Sequence, residues 1–117
     1  MSIDILKGTL FIDIDGTILH SDTEQPLSGA IEKINKAYND GFRIVLTTFR
    51  GGEWKITHRF SKINTERTLK SINLKFHEII WDSPSPRIII NDDQVLAIKH
   101  EKDKSWDYIN FEDTQNE

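Results

Sequence analysis

Phe11-Ile12-Asp13-Ile14-Asp15-Gly16-Thr17-Ile18-Leu19 is the stretch on which the reading of this chain turns. The apolar run from Leu10 to Ile12 has the character of a buried strand, and two carboxylates, Asp13 and Asp15, stand at its end. Side chains alternate faces along a strand, so these two point to the same side. Like charges held that close repel, and the pair costs stability unless a cation or a shared proton offsets it. Gly16 permits a sharp turn of the backbone, and Thr17 brings a hydroxyl and an N–H beside the acids. Mg2+ suits such a corner, because it binds through one or two carboxylates and keeps positions for water and phosphate. The plain alternative is a strand that ends in a solvated acidic turn.

Outward from this stretch, Thr9 to Ile14 is the first expected core strand, with Ile3 to Leu6 a short lead-in before Gly8. A polar loop, His20 to Gln25, follows, and Pro26 is placed as a first helical residue. From there Leu27, Ala30, Ile31, Ile34, Ala37 and Tyr38 recur at helical spacing. Asn39-Asp40-Gly41 closes that helix, with Gly41 suited to a left-handed cap. Phe42 to Thr48 is a continuous run of the kind a strand buried on both faces shows. It follows the helix with almost no linker, as a parallel crossover requires. Phe49-Arg50-Gly51-Gly52 is then a loop at that strand's carboxyl end.

Glu53 to Ile72 reads as mostly helical. Ile56, Phe60 and Ile63 share a face that Leu69 and Ile72 leave, so a break is expected near Asn64-Thr65, with Thr65 as cap and Asn73 as the last residue. Phe76 to Trp81 reads as a third strand and Asp82 to Pro86 as a loop. Arg87 to Ile90 is the expected fourth strand, ending at Asn91-Asp92-Asp93, and Val95 to Lys99 a short fifth. The polar tail from Glu112 is expected to fray.

This order predicts an α/β fold: one Rossmann-like domain over residues 1–117, a mostly parallel sheet flanked by helices, with no cap domain. Ligands of such sheets bind beyond the carboxyl ends of the strands. Asp13 and Asp15, Thr47 and Arg50, and Asp92 and Asp93 all fall at such ends, so three separate stretches converge on one edge. A net charge of −4 gives no footprint for nucleic acid or for an anionic membrane. No stretch approaches the ~20 apolar residues of a membrane span. Met1 to Lys7 lacks the basic and long apolar regions of a signal peptide. The absence of cysteine excludes disulfides and thiolate metal sites. Cytoplasm is the expected compartment, and the oligomeric state is left open.

Strand-Asp-x-Asp-Gly-Thr resembles the first motif of the haloacid dehalogenase (HAD) phosphohydrolase superfamily. The resemblance implies that Asp13 attacks phosphorus and that Asp15 is the general acid/base, its main-chain carbonyl helping to hold Mg2+. Gly16 then lies against the phosphate. Thr47, behind Ile44-Val45-Leu46, matches the second motif, a hydroxyl that holds a phosphoryl oxygen, with Thr48 as the alternative. Arg50 is a candidate bidentate phosphate clamp. Asn91-Asp92-Asp93 resembles the last motif, with Asp92 as metal ligand and Asp93 as a second ligand or its partner.

Thr47-Thr48-Phe49-Arg50-Gly51-Gly52, Trp54, Thr65-Glu66, Leu69 and Phe76-His77-Glu78-Ile79 are similar to small capless HAD phosphatases of capsule and polysaccharide biosynthesis. In that group Gly-Lys-Pro follows the third strand, whereas this chain has Asp82-Ser83-Pro84. The third-motif lysine is absent there, and Arg87, Lys75, Lys99 or Arg50 are the candidates to supply its charge. His77 and Glu78, adjacent on a strand, face opposite ways. Trp54, His58, Arg59 and Lys62, with the His20–Gln25 loop, are candidates for substrate contacts.

The expectation is a Mg2+-dependent phosphatase that hydrolyses a small phosphorylated metabolite through an aspartyl-phosphate. A sugar phosphate is suggested by analogy alone. The alternatives are a catalytically weak metal- and phosphate-binding protein and a phosphotransferase.

Overall fold

Phe42–Thr47 (β2) is the middle strand of a three-stranded parallel sheet, and its sequence explains the place it takes. Five of its six side chains are buried, the continuous pattern of a strand covered on both faces. Gly8–Asp13 (β1) lies along one side and Glu78–Ile80 (β3) along the other. In this computed structural model residues 7–52 and 58–111 are described. Ile3 to Leu6, the Glu53–Thr57 part of the expected long helix with Trp54 and Ile56, and the tail from Glu112 lie outside the described residues.

Ala30–Asn39 (α1) joins β1 to β2, and Lys62–Ser71 (α2) precedes β3. The helices flank the sheet as the sequence predicts. Ala30, Ile34 and Ala37 form the buried face of α1 and share one core with Ile12, Ile14, Ile44, Leu46 and Leu69. Burying a side chain of the Ile or Leu size contributes ~1.5–3 kcal/mol, so this cluster supplies most of what holds the layers together. Trp106 and Ile109, late in the chain, also belong to it. Lys33 Nζ fixes them by donating to the carbonyls of Trp106 (2.6 Å) and Ile109 (2.8 Å). No described helix is long and apolar enough to cross a membrane.

Four local expectations change. The helix starts at Ala30 rather than Pro26, because residues 18–27 first fold back as a small flap: Leu27 N–H donates to Ile18 O and His20 N–H to Gln25 O. The cap of α2 is Ser61, whose hydroxyl accepts from Asn64 N–H, and Thr65 lies inside the helix, fully buried. The third strand is shorter than expected, at Glu78–Ile80. Residues 87–99 form neither a fourth nor a fifth strand. A strand forms only with a ladder to pair with, and this segment lies off the sheet, with Ile88 and Ile90 80% and 94% exposed.

Candidate active site

Register sets the first half of the site. Asp13 and Thr47 are paired neighbours at the carboxyl ends of β1 and β2, and the ladder continues as Ile14 N–H donates to Thr47 O at 3.1 Å. The chain then turns at Gly16 (φ 79), where the left-handed backbone favours glycine. The N–H groups of Thr17, Ile18 and Leu19 converge on Ile14 O, and Gly16 N–H donates to Leu19 O. This tight loop aims Thr17 Oγ1 at Asp13 Oδ2, 3.2 Å away. Burial pushes the Asp13 carboxyl above the ordinary carboxylate range. Arg87 and the Thr17 hydroxyl pull the other way without cancelling it, and the nearby Asp15 charge adds to the rise.

Asp15 has a different environment. Arg50, 2% exposed, donates to it through Nη2 (2.6 Å to Oδ1) and Nε (3.1 and 3.0 Å to the two oxygens). The same guanidinium gives Nη1 to Thr65 Oγ1 (3.1 Å), lies 2.8 Å from Glu24 Oε1, and sits over the Phe60 ring. Its two acidic partners hold Arg50 above its usual range, against the desolvation that opposes its charge. One buried cation thus ties the Asp15 loop, the flap and α2 together. Arg50, the candidate phosphate clamp, here clamps Asp15, and each of its three guanidinium nitrogens has a partner.

Thr48 has a partner of its own. It is fully buried, and its hydroxyl accepts Arg50 N–H at 3.0 Å, which leaves Thr47 as the hydroxyl residue paired with Asp13. Of the four candidates for the missing lysine's charge, Arg87 is the one at Asp13: its Nη1 lies 3.1 Å from Oδ1. Two further bonds to Ser83 O, from Nε (3.2 Å) and Nη2 (2.8 Å), hold it there. Lys75 reaches Asn39 Oδ1 instead. His77 stacks on Tyr38 and accepts Ile44 N–H, while Glu78 pairs with Arg43, so both serve the sheet.

Asp92 and Asp93 are exposed and stay with their own segment, where Asp93 Oδ1 accepts Gln94 N–H. Among the described residues no three His, Asp or Glu side chains gather as a metal shell. The expected joining of Asp92 or Asp93 to Asp13 and Asp15 is thus not made, because the strand that would carry them does not form. Asp13 and Asp15 have hard oxygens of the kind Mg2+ takes. Here guanidinium groups engage both carboxylates, and the donor set as folded fits arginine compensation rather than a divalent ion.

Parallel strands, a glycine-turned acidic loop at their carboxyl edge, and a threonine in register beside the first acid define the hydrolase class that the first motif resembles. A family model described as haloacid dehalogenase-like hydrolase matches residues 10–73, and the chain belongs to that family. Neither curated proteins nor solved structures gave a match. The match takes in Asp13, Asp15, Thr47, Arg50 and Thr65.

Sequence reasoning missed Glu24 and Thr65 as partners of Arg50. No local pattern announces either. Glu24 sits at φ 59 in a polar loop, and Thr65 carries the look of a helix cap. An unpaired basic residue after a buried strand was the available signal, since a buried arginine requires more than one acceptor.

Proposed function

We propose that the chain hydrolyses a small phosphate monoester, with Asp13 as nucleophile and Asp15 as general acid/base. An Asp13 oxygen forms a bond to phosphorus as the bond to the ester oxygen breaks, and Asp15, which has to take up a proton from solvent before this step, gives it to the departing alcohol. Water then attacks phosphorus, Asp15 takes a proton from it, and the bond to Asp13 breaks to release phosphate. Thr47 would hold one phosphoryl oxygen. Arg87 would supply the positive charge that the absent lysine leaves uncompensated, countering repulsion between the carboxylate and a phosphate dianion. The observation that carries this reading is the side-by-side register of Asp13 and Thr47, with Asp15 forked by Arg50 just beyond.

The family resemblance implies Mg2+. For the ion to bind, Arg87 has to give up Asp13 Oδ1 and a further oxygen has to arrive, with Asp92 and Asp93 the sequence's candidates. The same Arg87–Asp13 pair favours a second reading, in which the site binds phosphate and turns over poorly. Phosphate release from p-nitrophenyl phosphate, with and without Mg2+, tests both. Hydrolysis that disappears in Asp13→Asn supports the enzyme. Hydrolysis that survives it removes Asp13 as nucleophile, and wild-type silence with retained phosphate binding selects the second reading.

A further inference from the structure

Beyond the family-matched residues, the chain returns to the back of the acidic loop. Asp103 N–H donates to Gly16 O at 2.8 Å, and its carboxylate accepts Ser21 N–H (2.7 Å) and Ser21 Oγ (2.6 Å). Three residues on, Trp106 Nε1 donates to Thr17 O at 2.6 Å, and its N–H to Ser28 O. Asp103 therefore bonds at once to the turn at Gly16, which follows Asp15, and to the flap tip that begins at Ser21. Glu24, on that same tip, lies 2.8 Å from Arg50 Nη2, and Arg50 forks Asp15.

We propose that Asp103 is a positioning residue for Asp15, acting through the flap, Glu24 and Arg50. The geometry favours this over simple packing in two ways. The Asp103 carboxylate makes two short bonds to Ser21 and lies 3.8 Å from His20 Nε2, so its side chain fixes the flap rather than filling the core. Core filling in this segment falls to Trp106 and Ile109, both buried. Asp103 also sits at φ 63, a conformation that costs most residues energy and that Asp and Asn tolerate. A catalytic carboxylate held by an arginine fork needs the other end of that fork fixed, and the flap's Glu24 supplies that end. The short Asp103–Ser21 bonds hold the tip that carries it, beside longer contacts of 3.4 Å from Arg59 to the Ser21 and Asp22 carbonyls. A shift of about 1 Å at such a position is enough to cost ~100-fold in rate.

The inference rests on the proposed role of Asp15, and two readouts keep the two apart. Asp103→Gly removes the carboxylate while permitting the same backbone, and Asp103→Asn keeps one acceptor oxygen for Ser21. The first readout needs no activity: the Arg50 Nε–H resonance in 15N spectra of the full chain. It is expected sharp in the wild type, broadened or shifted in Asp103→Gly, and restored in Asp103→Asn, with Lys104→Ala as the neighbouring control. The second is leaving-group dependence. A displaced general acid hurts poor leaving groups most, so Asp103→Gly should lose about tenfold more activity on phenyl phosphate than on p-nitrophenyl phosphate, at similar KM.

An unchanged Arg50 resonance in Asp103→Gly overturns the inference, as does an equal loss on the two esters. Should the wild type hydrolyse neither ester, the phosphatase reading falls and the Arg50 resonance alone decides the coupling. Should Asp103→Gly fail to fold, Asp103→Asn is read against wild type by the same two measurements, with a smaller effect in the same direction expected and none overturning the coupling.

Discussion

Arg50 meets Asp15 as a fork, Nη2 at 2.6 Å and Nε within 3.1 Å, while the arginine itself is removed from solvent. Truncating it leaves the Asp15 and Glu24 carboxylates facing each other without their cation. Breaking a buried pair from one side costs ~3–5 kcal/mol. Arg50→Ala is expected at the lower end, since Asp15 keeps 35% of its side-chain surface in water. Arg50→Lys retains the charge and loses the fork and the Thr65 bond, so phosphate release should fall further than stability does. Urea melts beside phosphate-release rates check both.

Asp13 is held above the ordinary carboxylate range by burial, so its ionised form destabilises the fold. A group raised in this way favours the folded state only where it is protonated, and that contribution is lost as pH rises through its folded value. Asp13→Asn should therefore raise the melting temperature at neutral pH and make no difference below the unfolded value of about 3.9. Activity goes as stability is gained. Melting curves of both proteins across pH provide the check, and a lower melting temperature at neutral pH refutes it.

Arg87 pulls the Asp13 carboxyl downward against the effect of burial. Arg87→Gln takes that pull away, and the acidic limb of the kcat/KM profile should move to higher pH. Stability should change by less than about 1 kcal/mol, as expected for a partly exposed ion pair. A pH–rate series in wild type and variant shows the shift or its absence.

Asp103 is held below the usual carboxylate range, chiefly by the Ser21 hydroxyl and N–H. The stability it lends is present above its unfolded value and is lost as pH falls through its lower folded value. The Ser21 amide should accordingly stay protected from hydrogen exchange near neutral pH and lose protection in strong acid, ahead of the β2 amides. Loss of protection at the same pH as β2 would show that the flap has no separate titration.

Whether Asp92 joins Arg87 at the acidic corner can be read from an added ion. With the segment off the sheet, Asp92→Asn leaves whatever Mn2+ affinity the wild type shows unaltered, and Ile90→Thr stays within ~0.5 kcal/mol of wild type, as surface changes do. A tenfold or greater loss of affinity, the size of effect seen when supporting groups of a metal site are removed, would place that carboxylate at the ion.

The parallel strands at residues 8–13 and 42–47, the intervening helix and the Asp13–Asp15–Gly16 corner were legible in the sequence. Each is written in local periodicity, in a glycine at a turn, or in an apolar run with acids at its end. The α2 cap was misjudged because Ser61 and Thr65 carry the same local chemistry, and only the nearby buried guanidinium distinguishes them. Ile88-Ile89-Ile90 has a strand's composition, yet composition cannot say whether a partner edge will be there.

Local order along the chain decided where the acids sit and which strand ends they share, because alternation and spacing are properties of neighbouring residues. What holds those acids was decided only in three dimensions. Arg50 reaches Asp15 across 35 positions, Arg87 reaches Asp13 across 74, and Asp103 reaches Ser21 across 82. A charge buried in the core takes whichever partner packing brings near, and spacing in the chain does not encode that choice.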